Sequence, residues 1–136
     1  MKAFKTVCKG KERVNFVDEN DVFVGFVDES MCCEEHGYFI IDECRDDLSI
    51  TEVRQLSCDE RGVAVELDGY VFDTTFNKGT DLLDGFCECE MPTFRLTNGE
   101  GKEKFLCLYN LHNGYYSHGF EFGNQKSDCV YESGSI

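Results

Sequence analysis

Lys104-Phe105-Leu106-Cys107-Leu108-Tyr109-Asn110-Leu111-His112-Asn113-Gly114-Tyr115-Tyr116-Ser117-His118-Gly119-Phe120-Glu121-Phe122 decides the fold. Asn113-Gly114 is the strongest hairpin signal in the chain, because a type I′ turn needs left-handed backbone at both central positions. Lys104 to Leu111 runs in as a strand and Tyr115 to Phe122 runs back. A period of two puts His118, Phe120 and Phe122 on one face. Just upstream, Glu88 to Leu96 reads as a strand that turns at Thr97-Asn98-Gly99-Glu100-Gly101.

The same pattern extends back to the start. Phe4 to Cys8 is a short strand turned by Lys9-Gly10-Lys11. Arg13 to Val17 alternates and stops at the turn formers Asp18-Glu19-Asn20-Asp21. Val22 to Val27 is β-branched and aromatic, with Gly25 marking a bulge or a close backbone approach. Tyr38-Phe39-Ile40-Ile41 is short and apolar, and Asp46 to Ser49 is a loop. Ile50 to Leu56 alternates, which reads as a strand ahead of a short helix. Asp59-Glu60-Arg61-Gly62 is a turn, Val63 to Leu67 another strand, and Asp68-Gly69 a tight turn before Tyr70-Val71-Phe72. Thr74 to Phe86 is a loop, with room for one helical turn at Asp81-Leu82-Leu83. Residues 123–136 form a less regular polar tail, anchored by Cys129 and Tyr131. No long 3.6-residue period and no internal repeat interrupt this reading. It predicts one domain over residues 1–136. The class is mostly β, an antiparallel sheet, sandwich or partly open barrel of about eight to ten short strands with little helix.

Composition bounds the function. The 136 residues carry 27 acids against 13 Lys and Arg, a formal charge of −14. Mean hydropathy is −0.37, the value of a globular chain. No apolar run approaches the ~18 residues of a membrane-spanning helix, and Met1 to Thr6 lacks the apolar core of a signal peptide. The expected compartment is the cytoplasm. The chain is expected to bind neither nucleic acid nor membrane, since counterion release needs clustered Lys and Arg. It should be drawn instead to basic protein surfaces. The acids of the first third carry this expectation, chiefly Asp18, Glu19, Asp21, Asp28, Glu29, Asp46 and Asp47. A solvated face that keeps the protein soluble explains the same acids equally well.

In a reducing cytoplasm, closely spaced thiols mark metal ligands more often than disulfides. The nine cysteines include two clusters. In Met31-Cys32-Cys33-Glu34-Glu35-His36, Cys33 and His36 are spaced for a turn to present both to one ion. In Cys87-Glu88-Cys89 the thiols share a strand face. Cys33, His36, Cys87 and Cys89 together form a Cys₃His set suited to a structural zinc, with Cys32 as rival to Cys33 and Cys44 and Cys58 in reserve. The flanking Glu residues repel a thiolate, and a bound divalent cation would relieve that repulsion. Cys8, Cys107 and Cys129 read as core thiols.

The sequence offers no catalytic constellation. A Cys–His pair using His112 or His118 lacks a glycine elbow and an oxyanion loop, and there is no phosphate loop or zinc-protease helix. Tyr115 and Tyr116 with Phe120 and Phe122 lack the interleaved cations of a base-stacking sheet.

Cys32-Cys33-Glu34, followed by Ile41-Asp42-Glu43 and Asp47-Leu48, is similar to the "CCE … IED … DL" signature of a small β domain common in phages and in actinobacterial and firmicute genomes. Asn113-Gly114-Tyr115-Tyr116-Ser117 matches that family's closing "SNGYYS". Met31 replaces the family's usual acid before the cysteine pair, and His112 replaces its Ser. The resemblance covers most of the chain and implies the β fold; the family has no established activity. Size, acidity and cysteine content also resemble anti-CRISPR proteins, in particular zinc-containing inhibitors of type II-A effectors. That resemblance implies a non-catalytic, DNA-mimicking inhibitor. It would bind a type II CRISPR RNA-guided nuclease and block DNA loading or cleavage at its basic channel. The alternative is a small metal- or nucleotide-binding housekeeping domain, even an enzyme, with Thr74 to Phe86 as lid and His112 or His118 lining a pocket.

Overall fold

The computed structural model describes residues 1–29, 35–45, 47–75, 78–81, 90–111 and 118–136, with the backbone alone at 78–81 and 90. Ten strands follow in order: β1 (Lys2–Cys8), β2 (Lys11–Val17), β3 (Val22–Val27), β4 (Glu35–Ile41), β5 (Val71–Phe72), β6 (Lys78–Asp81), β7 (Glu90–Thr97), β8 (Glu103–Leu111), β9 (Gly119–Asn124) and β10 (Cys129–Ser135). Helices α1 (Ile50–Leu56) and α2 (Glu60–Glu66) lie between β4 and β5. The first sheet has the order β1-β2-β3-β9-β10. The second has the order β4-β8-β7-β5, and β6 also pairs with β7. Every pairing is antiparallel. The mostly β, antiparallel class read from the sequence is the class observed, as a sandwich.

Local chemistry explains the turns. Lys9 and Gly10 have φ of 52° and 78°, the left-handed pair of a two-residue hairpin, and Cys8 sits opposite Lys11. Gly25 marks a close approach, since a Cβ there would lie 2.1 Å from Nη2 of Arg13. The Arg13 guanidinium covers the glycine and stacks over Phe23, 5.8 Å from its ring centre.

Two cores hold the molecule. The inner one joins Val14, Phe16, Val24, Phe26, Phe120 and Phe122 of the first sheet to Tyr38, Phe72, Phe94, Leu96, Leu106 and Leu108 of the second. Val63 and Leu67, on and just after α2, complete it. The outer core lies on the far face of the second sheet. Phe39, Ile41, Phe105, Cys107 and Tyr109 are covered there by Leu48 and Val53 of the α1 region. β4 and β8 are therefore buried on both faces, which is why they read as unbroken apolar runs and not as alternation.

The helices overturn two expected strands. Ser49 accepts a hydrogen bond from the Glu52 amide at 3.2 Å, and the Ser49 amide donates to the Glu52 carboxylate at 2.9 Å. This capping box starts α1 where alternation had suggested a strand. Asp59 caps α2 through the Gly62 amide at 2.8 Å, so 59–62 is a helix start and not a plain turn. Val63 and Leu67 are both fully buried while Val65 is 76% exposed, a helical period that outweighs the β-branched composition. The covering segment also seals an edge. The Cys58 amide donates to Tyr38 O at 3.2 Å, and Ser57 bridges to Phe39 beside β4.

Further corrections follow. The strands on either side of Asn113-Gly114 are not paired as the expected hairpin: β8 belongs to the second sheet and β9 to the first, and residues 112–117 lie outside the described residues. Within the expected 74–86 loop, β6 pairs with β7; Asp81 ends that strand, and Leu82 and Leu83 lie outside the described residues. The expected irregular tail contains β10, paired to β9 with one bulge between Val130 and Glu132. Cys8 and Cys129 are exposed, not core thiols, whereas Cys107 is buried as expected. His118, Phe120 and Phe122 do share the inward face.

Candidate functional site

The acidic first third separates into structural and surface acids. Asp18 is only 5% exposed. Its Oδ1 accepts from the amides of Asn20 at 2.8 Å and Val22 at 3.0 Å, and Oδ2 accepts from the Phe72 amide at 2.8 Å. A carboxylate among three amides pins the β2–β3 turn to β5 of the other sheet. Asp18 is thus a buried strut, and the structure removes it from the exposed acids. Glu19 and Asp21 stay at the surface. They rim a groove of about 630 Å³ that Phe4, Val17, Asp68 and Tyr70 also line. Asp47 is exposed and bonds Arg45 at 2.9 Å. Glu29 is half-buried, and Asp46 lies outside the described residues.

Several of the described cations are engaged in ion pairs. Arg54 forks onto both carboxylate oxygens of Glu35 at 2.8 Å each. Lys104 reaches Glu66 at 2.9 Å and Lys5 reaches Glu12 at 3.1 Å. Arg45 bridges Asp47 and Glu52, and Arg95 bridges Asp73 and Glu103. The Thr75 hydroxyl, then the Arg95 guanidinium, hold the Asp73 carboxyl down at about 2. Such exposed pairs add little stability, but they cancel the positive charge locally. The field outside the protein is that of the remaining acids.

At one end of the sandwich, His36 of β4 meets His118, which precedes β9. Their rings stack with centres 4.1 Å apart and planes 24° from parallel. His36 Nε2 is 3.1 Å from Asp28 Oδ1, and His118 Nδ1 is 2.6 Å from Val27 O. The Phe26 ring packs against both. The sequence singled out His36 as a ligand and His118 as a core-facing residue. Nothing local in the sequence announces that they touch, since they sit on different sheets.

Of the expected zinc ligands, only His36 lies within the described residues; Cys32, Cys33, Cys87 and Cys89 lie outside them. Among the described residues no three His, Cys, Asp or Glu side chains converge as a metal site. β4 and β7 flank β8, and both begin toward its Leu111 end. Two strands separated by one neighbour are roughly 10 Å apart. In the sequence, Cys32 and Cys33 precede the first of those beginnings and Cys87 and Cys89 the second; all four lie outside the described residues.

Burial disfavours the thiolate at Cys107 and Cys58. Burial pushes the Cys107 thiol up to about 12, and burial followed by the nearby Asp59 charge raises that of Cys58. Cys58 lies in a second groove, of about 600 Å³, with Ile41, Leu56, Glu66 and Lys104. Within it, Lys104 pairs with Glu66 and Asp42.

No family model matches the chain, and no characterised protein or solved structure proved similar to it. Among the described residues, no helix is long and apolar enough to cross a membrane.

Proposed function

We propose that the protein is a non-catalytic inhibitor that acts by binding, and that its target is a basic protein surface shaped for nucleic acid. By the resemblance above, that surface is the DNA channel of a type II CRISPR RNA-guided nuclease. One observation carries the proposal: a net charge of −14 on a body where Lys5, Arg45, Arg54, Arg95 and Lys104 are engaged in internal pairs. Such a body presents acids to its surroundings much as a nucleic acid presents phosphates. Glu19, Asp21, Glu29 and Asp47 are the contact acids of this reading.

A structural zinc belongs to the same proposal. Cys33, His36, Cys87 and Cys89 would hold it, with Cys32 in place of Cys33 as the variant set. The shared end of β4 and β7 supports it. So does Asp28, which engages His36 Nε2 as a carboxylate orients a ligating imidazole. The zinc would be a closed structural staple.

The second reading, a pocketed housekeeping domain, would place its ligand in one of the two grooves. The binding proposal is tested by measuring affinity for the purified nuclease as salt rises. Affinity should fall at least about tenfold between low and high salt, and duplex DNA should compete. Salt-independent binding overturns it. Elemental analysis should give one zinc per chain, lost in Cys33→Ser and Cys87→Ser with a lower melting temperature in both. A metal-free wild-type protein overturns the zinc.

A further inference from the structure

The first sheet has two edges, β1 and β10. An open edge offers unpaired N–H and C=O groups to any incoming strand, and lysines are a common way of blunting it. β1 and its turn carry Lys2, Lys5 and Lys9, and Lys11 opens β2 beside them. β10 contains no Lys, Arg or Pro, and its Val130 and Tyr131 are 53% and 43% exposed.

The direction of its backbone groups follows from the ladder. His118 and Ile136 exchange both N–H to O bonds, at 2.7 and 2.9 Å. In an antiparallel pair such residues alternate with pairs whose groups point away. Ser135 is opposite Gly119, Gly134 opposite Phe120, and Ser133 opposite Glu121. The N–H and C=O of Ser133 and Ser135 therefore point away from β9, toward the open edge. Among the described residues none bonds these groups. The bulge beyond Glu132 limits the regular edge to this last stretch.

We infer that this edge is where the partner's backbone docks: an extended, basic segment of the partner adds to the first sheet as a sixth strand along Ser133–Ser135. The inference rests on the acidic-capture reading and supplies its docking element. Charge selects the occupant. A basic segment is attracted by the −14 body and repelled from the lysine-bearing β1 edge. A second copy of this chain would bring like charge against like. Main-chain bonds give such strand addition its grip, and alternate side chains give it selectivity.

The test uses two capped peptides of about eight residues, one alternating Lys with Val and the other Lys with Gly. They share a charge and differ in strand propensity. Fluorescence anisotropy with the full chain should show the Lys-Val peptide binding at least about tenfold tighter. Ser133→Pro removes an outward N–H without breaking a bond to β9, and should reduce the Lys-Val peptide to the Lys-Gly level. Ser133→Lys, which blunts the edge with charge, should do the same and carries the test if the proline variant fails to fold by circular dichroism. Equal affinity for both peptides, unchanged in the variants, overturns strand docking and leaves acidic capture standing. Absence of salt-dependent binding by either peptide overturns both. A dimer in sedimentation that Ser133→Pro dissociates makes a second copy the occupant and overturns the basic-segment assignment.

Discussion

Asp18 separates what a residue's neighbours in sequence reveal from what they hide. Its place among Asp18-Glu19-Asn20-Asp21 marks a turn, and a turn is present. Its bond to Phe72, 54 residues away, leaves no local trace. A buried acid therefore reads from sequence as one more surface charge. Asp18→Ala should cost about 3 kcal/mol by stranding three amides, seen as a lower denaturant midpoint with an unchanged slope. A cost near zero would return Asp18 to the surface set. Asp73 gives a pH signature. Its carboxyl is lowered from 3.8 to about 2 in the fold. A depressed acid contributes stability that is complete above its unfolded value and is lost as pH falls through the folded one. Stability should thus decline between about pH 4 and 2, and Asp73→Asn should flatten that part of the curve. An unchanged acid limb in the variant would contradict the assignment.

Elements were legible where their burial was simple. The β8 run Phe105 to Tyr109 announces a strand buried on both faces, and Lys9-Gly10 announces its hairpin. The helices were misread because two signals competed. Ser49 and Glu52 spell a capping box, yet Ile50, Glu52 and Arg54 alternate against Thr51, Val53 and Gln55. Seven residues are too few for periodicity to decide, so the cap and the apolar outer face of the second sheet decide instead. Ser49→Ala should destabilise by about 1 kcal/mol, and Leu48→Ala, which opens the outer core, by about 3 kcal/mol. Thermal melts of both variants check the order. If Leu48→Ala proved the milder, the outer core would not be carrying the helix. β10 went unread because Cys129-Val130-Tyr131-Glu132-Ser133-Gly134-Ser135 has neither alternation nor an apolar run. Its strand character comes from β9 alongside it.

For the whole molecule, charge is the dominant legible property, and it points in one direction. Self-repulsion among the unpaired acids should exceed the value of the exposed ion pairs. Moderate salt should therefore raise the melting temperature. A falling melting temperature would mean that the pairs matter more than the excess. The candidate site was legible in part. His36 was found from its spacing to Cys33, whereas its stack on His118 depends on two sheets meeting. The first sheet's strand order has a consequence for how the protein is made. β3 ends at Val27, yet its partner β9 begins only at Gly119. During translation the nascent hairpins must wait about 5 to 20 s for that partner to be synthesised. Throughout that time Val24 and Phe26 lack the far half of their core. Folding of the first sheet is therefore committed late, when β9 enters beside β3.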